Sequence, residues 1–318
     1  MDSSGPRISI IVAVYNSQST ISKCLESIFG LDHPSYEVIV VDDGSSDRTA
    51  ELCEAFSGAK VIRLDRGGPS RARNIGVLAA RGAIVAFTDG DCIVDGQWLN
   101  ELERGFIRSD VAGVGGDQRS PADESEMGKR IQEFLKISGI VTKYIKTDAT
   151  FRETDHNPSC NSAYRKVVIE EIGGFDETQF PGEDLELDLK ILRRGHRLIY
   201  NPAAVVEHYR PGTYLEFCRM MRRYGAGEWH LVRKHGFFRM SDLEPVAVAA
   251  GLISVIALLV IYPHAWPVIL LPWPIIAFWF FLKTGNLAGT VQFVVLFMIT
   301  LTNWNWGFFT GSRYRPGK

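Results

Sequence analysis

The sequence predicts an α/β protein in which a mainly parallel, doubly wound sheet is followed by C-terminal transmembrane helices. Three observations carry that expectation. Four β-branched runs alternate with segments of helical spacing over about the first 90 residues, the pattern of successive βα units. Two acidic clusters, Asp42/Asp43 and Asp89/Asp91, fall at the carboxyl ends of two of these runs, where open parallel sheets bind ligands. From Pro245 to Phe309, Lys283 is the sole formally charged side chain. The mean hydropathy of −0.01 therefore averages two unlike parts, and a purely soluble protein is excluded.

The elements follow in order. Ile8–Val14 is β-branched and almost unbroken in its apolarity, as a strand covered on both faces should be. Asn16–Thr20 offers helix caps, and Ile21, Cys24, Leu25 and Ile28 then recur at helical spacing. Glu37–Val41 reads as a second buried strand, Asp42–Asp47 as a turn and Thr49–Phe56 as a helix. Lys60–Leu64 is a short strand, Gly67–Ser70 a loop and Ala72–Ala80 a helix; Ala83–Phe87 is a fourth strand leading into Thr88-Asp-Gly-Asp-Cys92. From Val111 to Tyr200 the pattern loosens. There Ser120–Glu126 is polar enough for a mobile loop, Gly173–Asp176 is a turn, and the acidic run Glu183–Asp188 opens a helix to about Arg194.

Residues 219–240 carry six Arg/Lys against one acid, interleaved with aromatics, the composition of an element at a membrane surface. Three apolar stretches follow, Pro245–Tyr262, Ala265–Leu282 and Val291–Phe309, each close to the roughly 20 residues that a crossing needs. Pro272 and Pro274 weaken the second as a regular helix, and Asn303 and Asn305 weaken the third. The positive-inside rule places 219–240 on the cytoplasmic side. Three crossings would then put Arg313, Arg315 and Lys318 outside, against the same rule, so either the longer basic stretch dominates or one segment is re-entrant. The expected organisation is a catalytic domain over 1–218, a basic interface segment over 219–243, two to three membrane segments over 244–311 and a basic tail over 312–318.

A net charge of −2 argues against a dedicated nucleic-acid binder. The five cysteines, Cys24, Cys53, Cys92, Cys160 and Cys218, form no CxxC pair and no His/Cys cluster at metal-ligand spacing; they read as small buried side chains in a reducing compartment. The N-terminus lacks a signal-peptide layout, so the front half is expected in the cytoplasm.

The chemistry concentrates at strand ends. Asp89-Gly-Asp91 places two carboxylates one residue apart, within reach of one hard divalent cation and a ribose hydroxyl; Mg²⁺ suits such a pair together with substrate phosphates. Asp42 and Asp43 can accept hydrogen bonds from a nucleobase or ribose, or belong to a helix-capping turn. Arg71, Arg73 and Asn74 follow a Gly-Pro-Ser loop, where guanidinium groups can face phosphate. Glu183-Asp184 opens a helix, where carboxylates are favoured by the helix dipole; the same pair can supply a general base if a hydroxyl lies within hydrogen-bond reach.

Taken in register, these residues resemble the inverting family 2 glycosyltransferases of GT-A fold. The resemblance rests on Ile8–Asn16, Val40–Thr49, Ser70–Gly76, Phe87–Asp91, Asn161–Lys166, Ile172–Glu177 and Gly182–Leu187 with Gly195. It covers about residues 7–225, and with the apolar tail it extends to members that build exopolysaccharides or lipid-linked glycans. It implies that Tyr15, Asn16, Asp42 and Asp43 hold the nucleoside of a nucleotide-sugar, most often UDP. It further implies that Asp89 and Asp91 contact ribose and the Mg²⁺ or Mn²⁺ on the diphosphate, that Arg73 offsets diphosphate charge, and that Asp184 deprotonates the acceptor hydroxyl. Asn161, Glu183 and Arg223 fall on the acceptor side. Processive polysaccharide synthases carry Gln-x-x-Arg-Trp near the membrane, whereas Met220-Met-Arg-Arg-Tyr224 lacks Gln and Trp. Transfer of one sugar to a lipid-linked or polysaccharide-precursor hydroxyl, by a multi-pass inner-membrane protein with its catalytic domain in the cytoplasm, is therefore favoured. A polyprenyl-phosphate glycosyltransferase is the serious alternative and a processive synthase the weaker one. The partners implied are the nucleotide-sugar, the glycan or lipid-linked acceptor and membrane lipids, with no nucleic acid.

Overall fold

The structure, a computed structural model, describes residues 7–139 and 151–313; Arg315 and Lys318 of the expected basic tail lie outside the described residues. The chain divides into two compact units, one ending at Arg210 and one beginning at Pro211.

In the first unit β1 (Ile8–Val14), β2 (Tyr36–Asp42), β3 (Ala59–Arg63) and β4 (Ile84–Asp89) pair in parallel in the order β3-β2-β1-β4. The connections are α1 (Ile21–Phe29), α2 (Thr49–Glu54) and α3 (Pro69–Ala79). The unbroken apolar run of β1 follows from burial on both faces. Ile8, Ile10, Val12 and Val14 join a core with Ile21, Cys24, Leu25 and Ile28 of α1, while Ile11 joins Ala72 and Val77 of α3 on the other side. Each such side chain contributes roughly 1.5–3 kcal/mol when fully buried. Helix α3 begins at Pro69, inside the stretch expected as loop, because proline at a first turn removes an amide that has no partner there.

The rest of the unit comprises β5 (Cys92–Val94), α4 (Trp98–Arg104), β6 (Val111–Arg119), α5 (Glu126–Ser138), β7 (Arg152–Thr154), β8 (Ser162–Arg165), α6 (Lys166–Glu171), α7 (Glu183–Arg193) and β9 (Arg197–His208). Strand β8 lies antiparallel between β4 and β6, and β6 runs parallel to β9, so the parallel half continues into a mixed one. Because β8 runs backwards, its beginning lies at the edge where the parallel strands end. Pro202 interrupts β9 where the pairing with β6 shifts register, between Asn201 and Val205, which is where a strand proline is tolerated.

The segment expected as a mobile loop, Ser120–Glu126, is tied down instead. Buried Glu124 accepts the backbone N–H of Arg210 at 2.6 Å and that of Ser125 at 2.7 Å. Asp123 pairs with Lys23 and accepts the Tyr209 hydroxyl at 2.7 Å.

In the second unit α8 (Tyr214–His235) starts ahead of the basic residues because the Thr213 side chain caps it, accepting from the Glu216 amide. After it come a 3₁₀ turn (Met240–Leu243), α9 (Glu244–Ile261), a 3₁₀ segment (Pro263–Leu270), α10 (Pro272–Thr284) and α11 (Leu287–Thr310). Three helical stretches are long and apolar enough to cross a membrane: Met240–Ile261, Pro263–Thr284 and Leu287–Thr310. The second stretch is not one regular α-helix, as its prolines lead one to expect: a 3₁₀ segment comes first and Pro272 opens α10. Both asparagines find partners within the unit, although the buried Asn305 Oδ1 accepts no hydrogen bond. Asn303 accepts the Arg222 Nε–H at 2.8 Å and donates to the Ile299 carbonyl, and Asn305 donates to the Leu301 carbonyl at 2.7 Å. Helices α8 and α11 approach through glycines: a Cβ on Gly225 would lie 2.0 Å from the Trp304 carbonyl oxygen, and one on Gly307 2.1 Å from that of Arg222.

Candidate active site

The parallel register sets the site. Pairing of Val14 with Asp42 and of Ala13 with Asp89 brings the ends of β1, β2 and β4 to one edge, and the residues after each strand form the floor of a cleft. Asn16 takes a left-handed conformation, φ 49°, which asparagine tolerates better than most residues. Its side chain accepts the Ser46 amide at 2.9 Å while its own amide donates to Ser45 Oγ at 2.9 Å. The two strand tips are thereby laced together. Tyr15 stands 41% exposed beside them, with the Arg66 guanidinium stacked on its ring.

Asp42 and Asp43 are both buried. Asp42 accepts the Ser45 amide at 3.2 Å, and Asp43 accepts the Gly67 and Gly68 amides, both at 2.8 Å. Asp42 therefore closes the turn after β2 rather than capping α2, whose first residue, Thr49, donates its amide to Asp47 Oδ1 at 3.0 Å, and Asp43 fixes the glycine loop ahead of α3.

Arg73 is the centre of charge. Only 5% exposed, it donates from Nη2 to Asp89 Oδ1 at 2.9 Å and from Nη1 to Glu183 Oε1 at 2.6 Å. Burial works to lower its pKa, but the charges of Asp89, Glu183 and Asp184 outweigh that and raise it. Glu183, itself buried, is pushed up to about 7 by burial, against the pull of Arg73. One guanidinium thus faces three carboxyl groups from β4 and α7, and the most buried of the three is the one that holds a proton near neutrality.

Gly182 holds a left-handed conformation at φ 93° and turns the chain into α7. Asp184, in the first turn and half-buried, accepts the Ser159 amide at 3.2 Å and the Leu185 amide at 2.8 Å. Two amide donors orient this carboxylate, and the helix N-terminus favours its charge.

Asp91, beyond Gly90, keeps its side chain 47% exposed, with Oδ1 3.5 Å from Nε2 of His208 at the end of β9. Burial works to raise the Asp91 pKa, but the neighbouring imidazole holds it below the ordinary value; His208 is lifted to about 10, the Asp91 charge outweighing burial. Nδ1 of His208 lies 3.3 Å from Gln118 Oε1. Since the Gln118 oxygen can only accept, it fixes the proton on Nδ1 and leaves Nε2 turned toward Asp91, the arrangement of a metal-bound histidine. Asp91 and this imidazole nitrogen are donors of the kind that Mg²⁺ or Mn²⁺ accepts, and Asp89, bonded to Arg73 through Oδ1, ends the neighbouring strand two residues before.

His208 went unnoticed in the sequence because β9 was not expected; the apolar run Ala203–Val206 ending in Glu-His was the available signal. Asn161 corrects the opposite error. Expected on the acceptor side, it is fully buried, accepts Trp98 Nε1–H at 2.8 Å and donates to the carbonyls of Asp117 at 2.8 Å and Ala204 at 2.9 Å. Its polar atoms are committed to holding strands together. Arg223 belongs to the second unit, on α8. The expectation of no His/Cys cluster is also corrected: Cys92, Cys160 and His208 converge, their ligand atoms within 4.8 Å of one another.

Comparisons with known proteins agree with this geometry. The profile of Glycosyl transferase family 2 matches residues 9–173. Glycosyltransferase AglE of Haloferax volcanii is 31% identical over 244 residues, 73% of this chain and 77% of its own. A dolichyl N-acetyl-alpha-D-glucosaminyl phosphate 3-beta-D-2,3-diacetamido-2,3-dideoxy-beta-D-glucuronosyltransferase of Methanococcus voltae is 26% identical over 265 residues, 78% of this chain and 81% of that one. The succinoglycan biosynthesis protein ExoO of Rhizobium meliloti is 33% identical, covering 68% of this chain and 64% of its own length. Among solved structures, mannosyltransferase PcManGT from Pyrobaculum calidifontis, in complex with GDP-Man and Mn²⁺, superposes with a TM-score of 0.60 at 20% identity, over 97% of this chain and 86% of that one. At that identity the likeness is one of fold. With a family profile spanning more than half of its length, and the acidic strand ends and buried arginine in place, the chain belongs to glycosyl transferase family 2 and is a glycosyltransferase of GT-A fold.

Proposed function

We propose that this glycosyltransferase moves a single sugar, with inversion, from a nucleotide-sugar of the UDP type to a hydroxyl of a lipid-linked or polysaccharide-precursor acceptor. The convergence of Asp89, Asp91, Arg73 and Asp184 at one edge of the sheet is the observation that carries this reading. Tyr15, Asn16, Asp42 and Asp43 receive the nucleoside at the neighbouring strand tips. Asp89, Asp91 and His208 hold the divalent cation, which when bound offsets charge on the departing diphosphate. Arg73, fixed between two carboxylates, adds a positive charge that needs no reorganisation during the reaction. Asp184 takes the acceptor proton as the acceptor oxygen bonds to the anomeric carbon and the bond from that carbon to phosphate breaks.

The acceptor's membrane character is supported by the three apolar helices and by α8. Arg219, Arg222 and Arg223, with Glu216 and Trp306, line a cavity of about 740 Å³ within the second unit, and guanidinium groups beside membrane-crossing helices suit the anionic head of a lipid carrier. The relatives named for dolichyl phosphate and succinoglycan chemistry point the same way. The basic residues of α8 support a catalytic unit on the cytoplasmic side of the cell membrane.

A donor screen with detergent-solubilised protein, reading released nucleoside diphosphate, identifies the sugar. Asp184→Asn then separates two acceptor classes. With a hydroxyl acceptor kcat falls by roughly 10²–10⁴-fold, since a positioned base is lost, while donor affinity by calorimetry stays unchanged. A polyprenyl-phosphate acceptor is already ionised and needs no base, so near-normal turnover would replace the hydroxyl reading with that one.

A further inference from the structure

The fold assembles a cluster that no local sequence pattern contains. Cys92 opens β5, Cys160 lies in the 3₁₀ turn Ser159–Asn161 ahead of β8, and His208 ends β9. Both cysteines are buried and the histidine side chain is 18% exposed. Their ligand atoms lie within 4.8 Å of one another. Asp91 stands beside this group of three, its Oδ1 3.5 Å from His208 Nε2 and 3.9 Å from Cys92 Sγ, and is the carboxylate that can close onto an ion held there. In a tetrahedral zinc site, metal–sulfur bonds of about 2.3 Å and metal–nitrogen or metal–oxygen bonds of about 2.0–2.1 Å make the edges about 3.4 Å between nitrogen and oxygen and about 3.6 Å between oxygen and sulfur. The two edges measured here need only a few tenths of an ångström of closure.

We propose that Cys92, Cys160, His208 and Asp91 form a binding site for one thiophilic divalent cation of the Zn²⁺ class, separate in ligand chemistry from the hard-cation site of the donor diphosphate. Two thiolates select a soft or borderline ion, whereas Mg²⁺ and Mn²⁺ favour oxygen. Binding requires both thiolates and a neutral imidazole, so the protons held by the two cysteines and by His208 leave as the ion binds. Because the thiophilic ion takes His208 and Asp91, it excludes the donor-side cation and inhibits transfer. That inhibitory consequence rests on the assignment of Asp91 and His208 to the donor-side cation; the binding itself does not.

The test uses the full-length, reduced, chelator-treated protein in detergent, with Co²⁺ as optical probe and Zn²⁺ for calorimetry and X-ray absorption. The expected results are one ion per chain, a thiolate-to-cobalt charge-transfer band with a tetrahedral spectrum, and a zinc first shell of two sulfur and two nitrogen or oxygen atoms. Cys160→Ser should weaken the charge-transfer band and lower zinc affinity more than tenfold, and Cys53→Ser should change neither. The zinc shell, read on the unmutated chain, stands even if Cys160→Ser fails to fold. In the presence of Mn²⁺, stoichiometric Zn²⁺ should depress transfer by the unmutated protein more than tenfold, relative to a smaller effect on Cys160→Ser. A cobalt spectrum without thiolate character, a zinc shell without sulfur, or a Cys92–Cys160 disulfide in the unreduced protein would overturn the site. Zinc binding through two sulfurs without inhibition would keep the site and overturn its competition with the donor-side cation, leaving the glycosyl-transfer reading untouched.

Discussion

The two units of this protein use burial in opposite ways. In the first, charged and polar groups sit inside: Arg73, Asp42, Asp43, Glu183 and Asp188 are all at most 5% exposed. Asp188 is held by His156 Nδ1 at 2.8 Å, the Asn157 amide at 2.7 Å and the Tyr164 hydroxyl at 2.8 Å, and burial still raises its pKa. In the second unit the apolar side chains face outward; Leu252, Ile253 and Val260 of α9 are 60%, 67% and 76% exposed. A water-facing protein would expose few such groups together. The comparison teaches that apolar side chains can stay outside only where the surroundings do not penalise them, and that a buried charge survives only where its partners are built in.

Four perturbations break or sharpen that contrast. The largest effect should come from Asp91→Ala or from EDTA, which remove the donor-side cation: transfer should drop by about 10³-fold or more with an unchanged circular dichroism spectrum, and full activity in EDTA would end the cation assignment. Cutting the chain near residue 240 should leave nucleotide binding intact yet lower turnover on a lipid acceptor at least tenfold. If the fragment glycosylates the lipid as well as the whole chain does, the membrane helices are an anchor only. Gly307→Leu should disrupt the α8–α11 approach at a cost of about 1–3 kcal/mol from overpacking, read as a lower melting temperature in detergent while nucleotide affinity holds. An unchanged melting temperature would show that the helices do not meet there.

The smallest effect concerns pH. Glu183 titrates near 7, above its ordinary 4.5, so the folded state holds a proton that the unfolded chain gives up. Its stabilising contribution is complete below about pH 4.5 and is lost as pH rises through about 7. Glu183→Gln should flatten the dependence of melting temperature on pH over that window and gain on the unmutated protein above it. Parallel profiles would place the proton elsewhere.

Much of the first unit was legible because its information is local. A strand buried on both faces must be apolar throughout, and Ile8–Val14 appears in the structure with the bounds read from the sequence. The carboxylates at the ends of β2 and β4 were legible for the same reason. Strand β6 was not, because its Gly113, Gly115 and Gly116 carry no strand propensity. They are required by neighbours far along the chain: a Cβ on Gly116 would lie 1.9 Å from the Ala204 carbonyl oxygen. The error at Asn161 has the same origin, since Trp98, Asp117 and Ala204 claim it from three separate elements. His208 and the cysteines are brought together only by strand pairing across the mixed half of the sheet.

The close crossing of α8 and α11 bears on how the chain would enter a membrane. Of the three stretches long and apolar enough to cross a membrane, Leu287–Thr310 is the most enclosed, 33% of its window buried against 6% for each of the others. It carries Asn303, Asn305 and Thr300, polar groups for which lipid would offer no partner. Arg222 meets Asn303, and the bare backbones at Gly225 and Gly307 let the two helices come near enough for that contact. Helix α8 leaves the ribosome before α11 does. The most polar of the three stretches therefore emerges when its partner is already made, so that in a membrane its insertion would be a docking event as well as a partitioning one.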